Sequence, residues 1–151
     1  MAMLVEDVMT REVTAVPPGE PLAEVARLMV EHRVSGLPVV AGDGTVLGVV
    51  SEADLLEKGR WLLDRLDVTQ RLVFEVRVAG EAMSSPAVTI RPDCSLATAA
   101  REMFAHDVNR LPVVEDGELV GIVTRSDLVR GFFLAEASRN GRVAEHLLDP
   151  R

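Results

Sequence analysis

The chain has 151 residues, 48% of them hydrophobic, which suits one compact domain or two small ones sharing a core and is too apolar for a disordered tail. A formal charge of −8, with Lys58 as the only lysine, argues against free nucleic acid as a partner, because that binding depends on basic side chains neutralising phosphates. Apolar runs are only a few residues long, and the acidic opening MAMLVEDVMTREV lacks the basic start of a secretory leader, so no membrane association and a cytoplasmic protein are expected.

In chain order, EVTAV is an extended piece that ends at a proline pair, which disfavours helix just before it. An amphipathic helix follows, with Leu22, Val25, Leu28 and Met29 on one face. LPVV from Leu37 is a buried strand, AGDG a turn, and TVLGVV the returning strand of a hairpin. A second helix starts at Ser51. Residues 57–78 form a structured connector, apolar through Trp61, Leu62, Leu66, Leu72 and Val73 rather than Gly/Ser-rich. Then the order repeats. AVTI is extended, Ser95 is a plausible N-cap, and Leu96, Ala99, Ala100, Met103 and Phe104 share a helical face. LPVV from Leu111, the turn EDG, the strand ELVGIV and a helix from Thr124 complete the copy. The segment 133–151 is expected to be a helical tail with a break near Asn140 and Gly141.

The two halves are copies. Met9, Pro18, Leu22 and Leu37 answer Met83, Pro92, Leu96 and Leu111 at an offset of 74. One residue is lost from the turn, and Gly48, Ser51 and Asp54 then answer Gly121, Thr124 and Asp127 at an offset of 73. The expected fold is α/β (α+β): two β-α-β-β-α repeats, at 5–56 and 79–132, packed as a pseudo-twofold pair because one such unit is too small to bury its helices alone.

Both copies end their hairpin on the same pattern, GVVSEADLL and GIVTRSDL. The plainer reading is a capping box, in which Ser51 or Thr124 caps a helix and the aspartate three residues on reaches back. The functional reading uses the same geometry. A helix N-terminus offers free N–H groups and partial positive charge to a phosphate, a hydroxyl there can donate to it, and a carboxylate one turn in can hold two ribose hydroxyls. Arg125 adds charge for a phosphate.

Other features are weaker. His32 and His106 hold equivalent places near helix ends without metal-ligand spacing, so no metal is expected. Cys94 is the single cysteine, which allows no internal disulfide, and no histidine marks itself as its catalytic partner. No nucleophile with a base and no acid–base pair stands out, so an enzyme is not expected.

The paired copies, with DVMT, LPVV, LGVVSEADLL and LPVVEDGELVGIVTRSDL, resemble a tandem pair of CBS domains, the module named after cystathionine β-synthase and also called a Bateman module. The resemblance covers about two thirds of the chain. It implies two clefts that bind adenosine compounds (AMP, ADP, ATP, S-adenosylmethionine, sometimes NAD) and a role in energy sensing, in which a bound ligand regulates a partner protein. It also implies association as homodimers. Carried over residue by residue, it gives Asp127 the ribose and Thr124 the phosphate, with Asp54 and Ser51 their counterparts. It places the base near Val88, Thr89 and Ile90, with Asn109 and Arg110. The first-copy counterparts are Thr14, Ala15 and Val16, with Ser35 and Gly36. Arg110 and Arg125 stand where the first copy has Gly36 and Glu52, so the second cleft is expected to be the stronger, since a glutamate repels phosphate. The alternative is a structural or dimerisation module with unused clefts, favoured by the apolar connector and by GFFLAEA at 131.

Overall fold

The computed structural model describes residues 3–58 and 77–140. Trp61, Leu62, Leu66, Leu72 and Val73 of the connector, and the tail beyond Asn140, lie outside the described residues. The elements in order are α1 (Val5–Val8), α2 (Leu22–His32), β1 (Gly36–Val40), β2 (Val46–Ser51), α3 (Glu52–Lys58), α4 (Ala79–Ala82), α5 (Leu96–His106), β3 (Arg110–Glu115), β4 (Glu118–Thr124) and α6 (Arg125–Arg139). The mixed architecture with small antiparallel sheets, repeated, matches the expected class.

The chain divides into two compact units. The first-repeat unit takes residues 13–88 with 116–119. The second-repeat unit takes residues 1–12 and 89–115 and the chain from Val120 onward.

In the first-repeat unit, β1 and β2 pair antiparallel with Gly36 opposite Ser51 and Leu37 opposite Val50, and a bulge falls at Val39/Val40. The AGDG turn places Gly44 at φ 93°, a conformation glycine adopts at no steric cost. The EVTAV segment joins the sheet through a single parallel bridge: the Val16 amide donates to Pro38 O (3.0 Å), and Val40 N donates to Val16 O (2.8 Å). Leu22, Val25 and Met29 of α2 pack with Leu37, Val39 and Val50 of the sheet and with Leu55, Ala79 and Ala82.

The second repeat follows the same local plan along the chain. Ile90 bridges Val113 in parallel as Val16 bridges Val39. Asp116 and Gly117, both at positive φ, turn β3 into β4, as the two-residue hairpin requires. Ser95 caps α5, its hydroxyl accepting from Thr98 N at 3.1 Å. Leu96, Ala99 and Met103 are buried, but Phe104 is not: it is 82% exposed, and its counterpart Val30 is 80% exposed. At 3.6 residues per turn Phe104 lies about 80° round the helix from Leu96, off the edge of the stripe that Leu96, Ala99 and Met103 define. The α6 helix runs unbroken from Arg125 to Arg139 and stops at Asn140, on one side of the expected break.

Each repeat's leading helix belongs to the unit built on the other repeat. In the second-repeat unit, Val5 N donates to Cys94 O (2.8 Å) and Glu6 N to Pro92 O (3.0 Å), and Thr10 and Ile122 exchange both backbone hydrogen bonds at 2.9 Å. In the first-repeat unit, Ala79 N donates to Glu20 O (2.9 Å) and Gly80 N to Pro18 O (2.8 Å), and Ser84 and Val49 exchange theirs at 2.9 and 3.2 Å. Val5, fully buried, and Val8 therefore belong to the core of the second-repeat unit. Val5→Ala is expected to destabilise by about 2–3 kcal/mol through a cavity there, read by urea denaturation. A stability equal to wild type would mean that α1 contributes nothing to that core.

Candidate functional site

The two hairpin endings fold alike. In the second-repeat unit, Thr124 is the N-cap of α6. Its hydroxyl accepts from Asp127 N at 3.2 Å, and Asp127 Oδ2 accepts from Thr124 N at 2.9 Å. In the first, Asp54 N donates to the Ser51 hydroxyl (3.1 Å), and Asp54 Oδ2 accepts from both Ser51 N (2.9 Å) and Ser51 Oγ (3.0 Å). Both capping boxes are thus real. A cap satisfies backbone donors that the helix leaves unpaired, and a carboxylate in the first turn meets the positive end of the helix dipole. Asp54 and Asp127 are each only 8% exposed.

The copies differ in what holds the carboxylate. Asp127 Oδ1 faces Arg130 Nη2 at 3.4 Å, and that guanidinium also donates to Val8 O at 3.1 Å. In the first copy Lys58 stands by the carboxylate, with its Nζ 3.9 Å from Asp54 Oδ1 and 3.1 Å from Ala82 O. Arg130 escaped the sequence reading. Its i,i+3 spacing from Asp127 on a helix was the available signal.

In each unit the residue before the inner strand is tied to the residue after the cap. Arg125 N donates to Asn109 O at 3.0 Å, and Glu52 N to Ser35 O at 2.9 Å. Asn109 and Arg125 are therefore neighbours of the Thr124–Asp127 cap. Arg125 is exposed, with Nη2 3.4 Å from Val108 O. Arg110 is buried (8% exposed), and its Nε donates to Asn109 Oδ1 at 3.1 Å. Ile90 is buried on the strand segment bridged to β3, Thr89 beside it is exposed, and Val88 is half-buried. In the first copy Val16 and Gly36 are buried, Thr14 and Ser35 half-buried, and Ala15 exposed. Gly36 pairs with Ser51 across the β1–β2 ladder.

Among the described residues no three His, Cys, Asp or Glu side chains gather to hold a metal ion. None of the described helices is long and apolar enough to cross a membrane. His32 and His106 end α2 and α5, and His106 Nε2 lies 3.4 Å from Glu102.

The CBS domain family model matches residues 5–60 and again 78–133. The CBS domain-containing protein YhcV of Bacillus subtilis is 34% identical over 124 residues, covering 82% of this chain and 81% of its own. The crystal structure of CBSX2 in complex with AMP superposes with a TM-score of 0.74 at 33% identity, covering 88% of this chain and 98% of that one. Hypoxic Response Protein I, whose crystal structure holds two coordinated zinc ions, superposes with a TM-score of 0.70 at 30% identity, over 85% and 98% of the two chains. With two matched repeats, a shared fold and a relative at this identity over most of both lengths, the chain belongs to the CBS domain family as a tandem CBS pair.

Proposed function

We propose that this chain is a non-catalytic regulatory module that binds an adenosine nucleotide, AMP or ATP, and transmits its occupancy to a partner protein. The observation that carries this reading is the cap of α6. Thr124 presents a hydroxyl at a helix N-terminus, Asp127 presents a carboxylate held by Arg130, and the exposed Arg125 guanidinium stands between them in sequence. A phosphate suits the helix end and the guanidinium, and a ribose suits the carboxylate. Ile90 and Thr89, with Asn109, are assigned to the base. Arg110, turned onto Asn109, positions that residue rather than meeting phosphate directly. The likeness to CBSX2 with AMP supports an adenosine ligand.

The first copy is the weaker site. Its exposed Glu52 stands where the second has Arg125, and the Ser51 hydroxyl proton is already given to Asp54. Copies of the chain associate as homodimers in this reading. The test is isothermal titration calorimetry against AMP, ADP, ATP, S-adenosylmethionine and NADH. One site per chain, filled by an adenine nucleotide, is expected. Failure of every compound to bind or to shift the melting temperature would overturn the ligand reading.

That outcome would favour a second reading, an assembly module with unused clefts. Its supporting observation is the set of exposed large apolar side chains: Val30, Leu56, Phe104, Val129, Phe132 and Phe133.

A further inference from the structure

Each unit ties its cap carboxylate to its leading helix through one cation. In the second-repeat unit, Arg130 Nη2 lies 3.4 Å from Asp127 Oδ1 and donates to Val8 O, the last carbonyl of α1, at 3.1 Å. In the first-repeat unit, Lys58 Nζ lies 3.9 Å from Asp54 Oδ1 and donates to Ala82 O, the last carbonyl of α4, at 3.1 Å. Val8 and Ala82 are counterparts at the offset of 74. The cations are not counterparts. At the offset of 73, Arg130 answers Glu57 and Lys58 answers Gly131.

Packing explains the change of position. A Cβ on Gly131 would stand 2.9 Å from Cγ1 of Val8 and 2.6 Å from Cδ1 of Leu96, so α1 and α5 close the place where the first copy has its lysine. The cation comes from the residue before instead, and a guanidinium, with its donors in a fork, can meet the carbonyl and the carboxylate together. The same three-group contact is thus built from two non-equivalent positions. The cap does not require it. The box is made by Asp127 Oδ2 and the Thr124 hydroxyl, while Oδ1 meets Arg130. An ionised carboxylate has about four lone-pair sites, so Thr124 N on Oδ2 and Arg130 on Oδ1 leave about two, the number that two ribose hydroxyls need.

We propose that Arg130 is a positioning residue of the nucleotide site and that it joins the occupancy of that site to the docking of α1. This rests on the ribose role given to Asp127 above and names the element that responds. Arg130 holds Oδ1, so the carboxylate meets the ribose already oriented. A bound ribose in turn fixes the carboxylate, the carboxylate holds the guanidinium, and the guanidinium holds Val8 O. The coupling is positive, because the ribose fills lone pairs that Arg130 leaves free, and it acts equally in both directions. As a helix of four residues, α1 has almost no stability of its own and keeps its place through contacts to distant segments.

The test is amide hydrogen exchange on the full chain, with and without AMP, beside calorimetric titration of the same samples. The Val5, Glu6 and Thr10 amides, bonded to Cys94, Pro92 and Ile122, report on α1. The Ala99 amide, bonded to Ser95 within α5, reports on general stabilisation of the fold by a ligand. In wild type, AMP is expected to slow the α1 amides about 5-fold or more beyond the slowing at Ala99. The Arg130 side chain is 44% exposed, so Arg130→Met is expected to fold. Its AMP affinity is expected to fall about 10-fold. At saturating AMP it is expected to keep the slowing at Ala99 and lose the excess at α1. Arg130→Lys, which keeps a cation as the first copy does, is expected to recover part of both effects. Lys58→Met is expected to leave the excess at α1 as in wild type. Saturable AMP binding without any excess slowing at α1 would overturn the coupling and leave the nucleotide reading standing. An Arg130→Met protein that binds AMP as tightly as wild type would overturn the positioning role. A wild type that binds no AMP would overturn the nucleotide reading and the coupling with it, so the titration tells the two failures apart.

Discussion

Asp127→Ala is expected to remove AMP binding while leaving a folded protein. In the proposed complex the carboxylate accepts hydrogen bonds from two ribose hydroxyls, and bonds to a charged group are worth about 1.5–3 kcal/mol each. Losing both lowers affinity by roughly 100-fold or more. The structural cost is smaller. Asp127 Oδ2 accepts from Thr124 N, and loss of a cap costs about 0.5–2 kcal/mol. Removing the carboxylate also leaves Arg130 Nη2 with Val8 O, so that guanidinium keeps a hydrogen-bond partner. Calorimetric titration paired with urea denaturation separates the two effects. Asp54→Ala is the control: it loses the same kind of cap, at similar stability cost, and is expected to leave the tighter nucleotide site intact. Equal affinity in wild type and Asp127→Ala would remove the ribose assignment.

The second large effect is expected at Gly48. A Cβ built there would lie 2.4 Å from the backbone oxygen of Ser84 and 2.9 Å from the sulfur of Met83. The sulfur can swing away, but the backbone oxygen accepts from Val49 N at 3.2 Å and is fixed by that bond. Gly48→Ala therefore drives β2 and the segment after α4 apart. Overpacking costs about 1–3 kcal/mol, and weakening two backbone hydrogen bonds adds about 1 kcal/mol each. A loss of about 3–5 kcal/mol is expected, measured as a shift in the urea midpoint. Gly121, the counterpart in the second-repeat unit, is expected to tolerate alanine better. There the closest atom is the sulfur of Met9 at 2.6 Å, at the far end of a flexible side chain, and the oxygen of Thr10 is further off at 2.9 Å. A Gly48→Ala protein as stable as wild type would show that this close approach is not needed.

Much of this was legible in the sequence because it is carried by local chemistry. Asp-Gly at 116–117 announces a two-residue hairpin, Ser95 three residues before Thr98 announces a cap, and the spacing of Leu22, Val25 and Met29 announces a buried helix face. The Thr124–Asp127 and Ser51–Asp54 boxes were readable for the same reason, since the partners lie within one turn. What was not legible is set by contacts distant in sequence. Nothing in VEDV or AGEA is periodic enough to mark α1 and α4 as helices, since each spans four residues and is stabilised by hydrogen bonds to segments far along the chain, such as Val5 to Cys94 and Ala79 to Glu20. Phe104 was placed on the buried face because apolar character alone does not say how wide that face is. Arg110 was read as charge for the second cleft, and what composition could not show is that it is buried with its Nε on Asn109 Oδ1.

The exchange of leading helices also bears on how such a protein can be cut and joined. A break in the connector would not release two self-sufficient halves. The front piece would keep α1, which has no work there, and would lack α4 and Ser84, which close the open side of β2. The rear piece would carry α4 to no purpose and would lack Met9 and Thr10 against β4. Either fragment would expose an unsealed strand edge to the solvent and to its neighbours. The smallest portion of this gene that can be moved into another protein and still yield a finished fold is therefore the tandem pair, and a fusion must keep both leading helices with it.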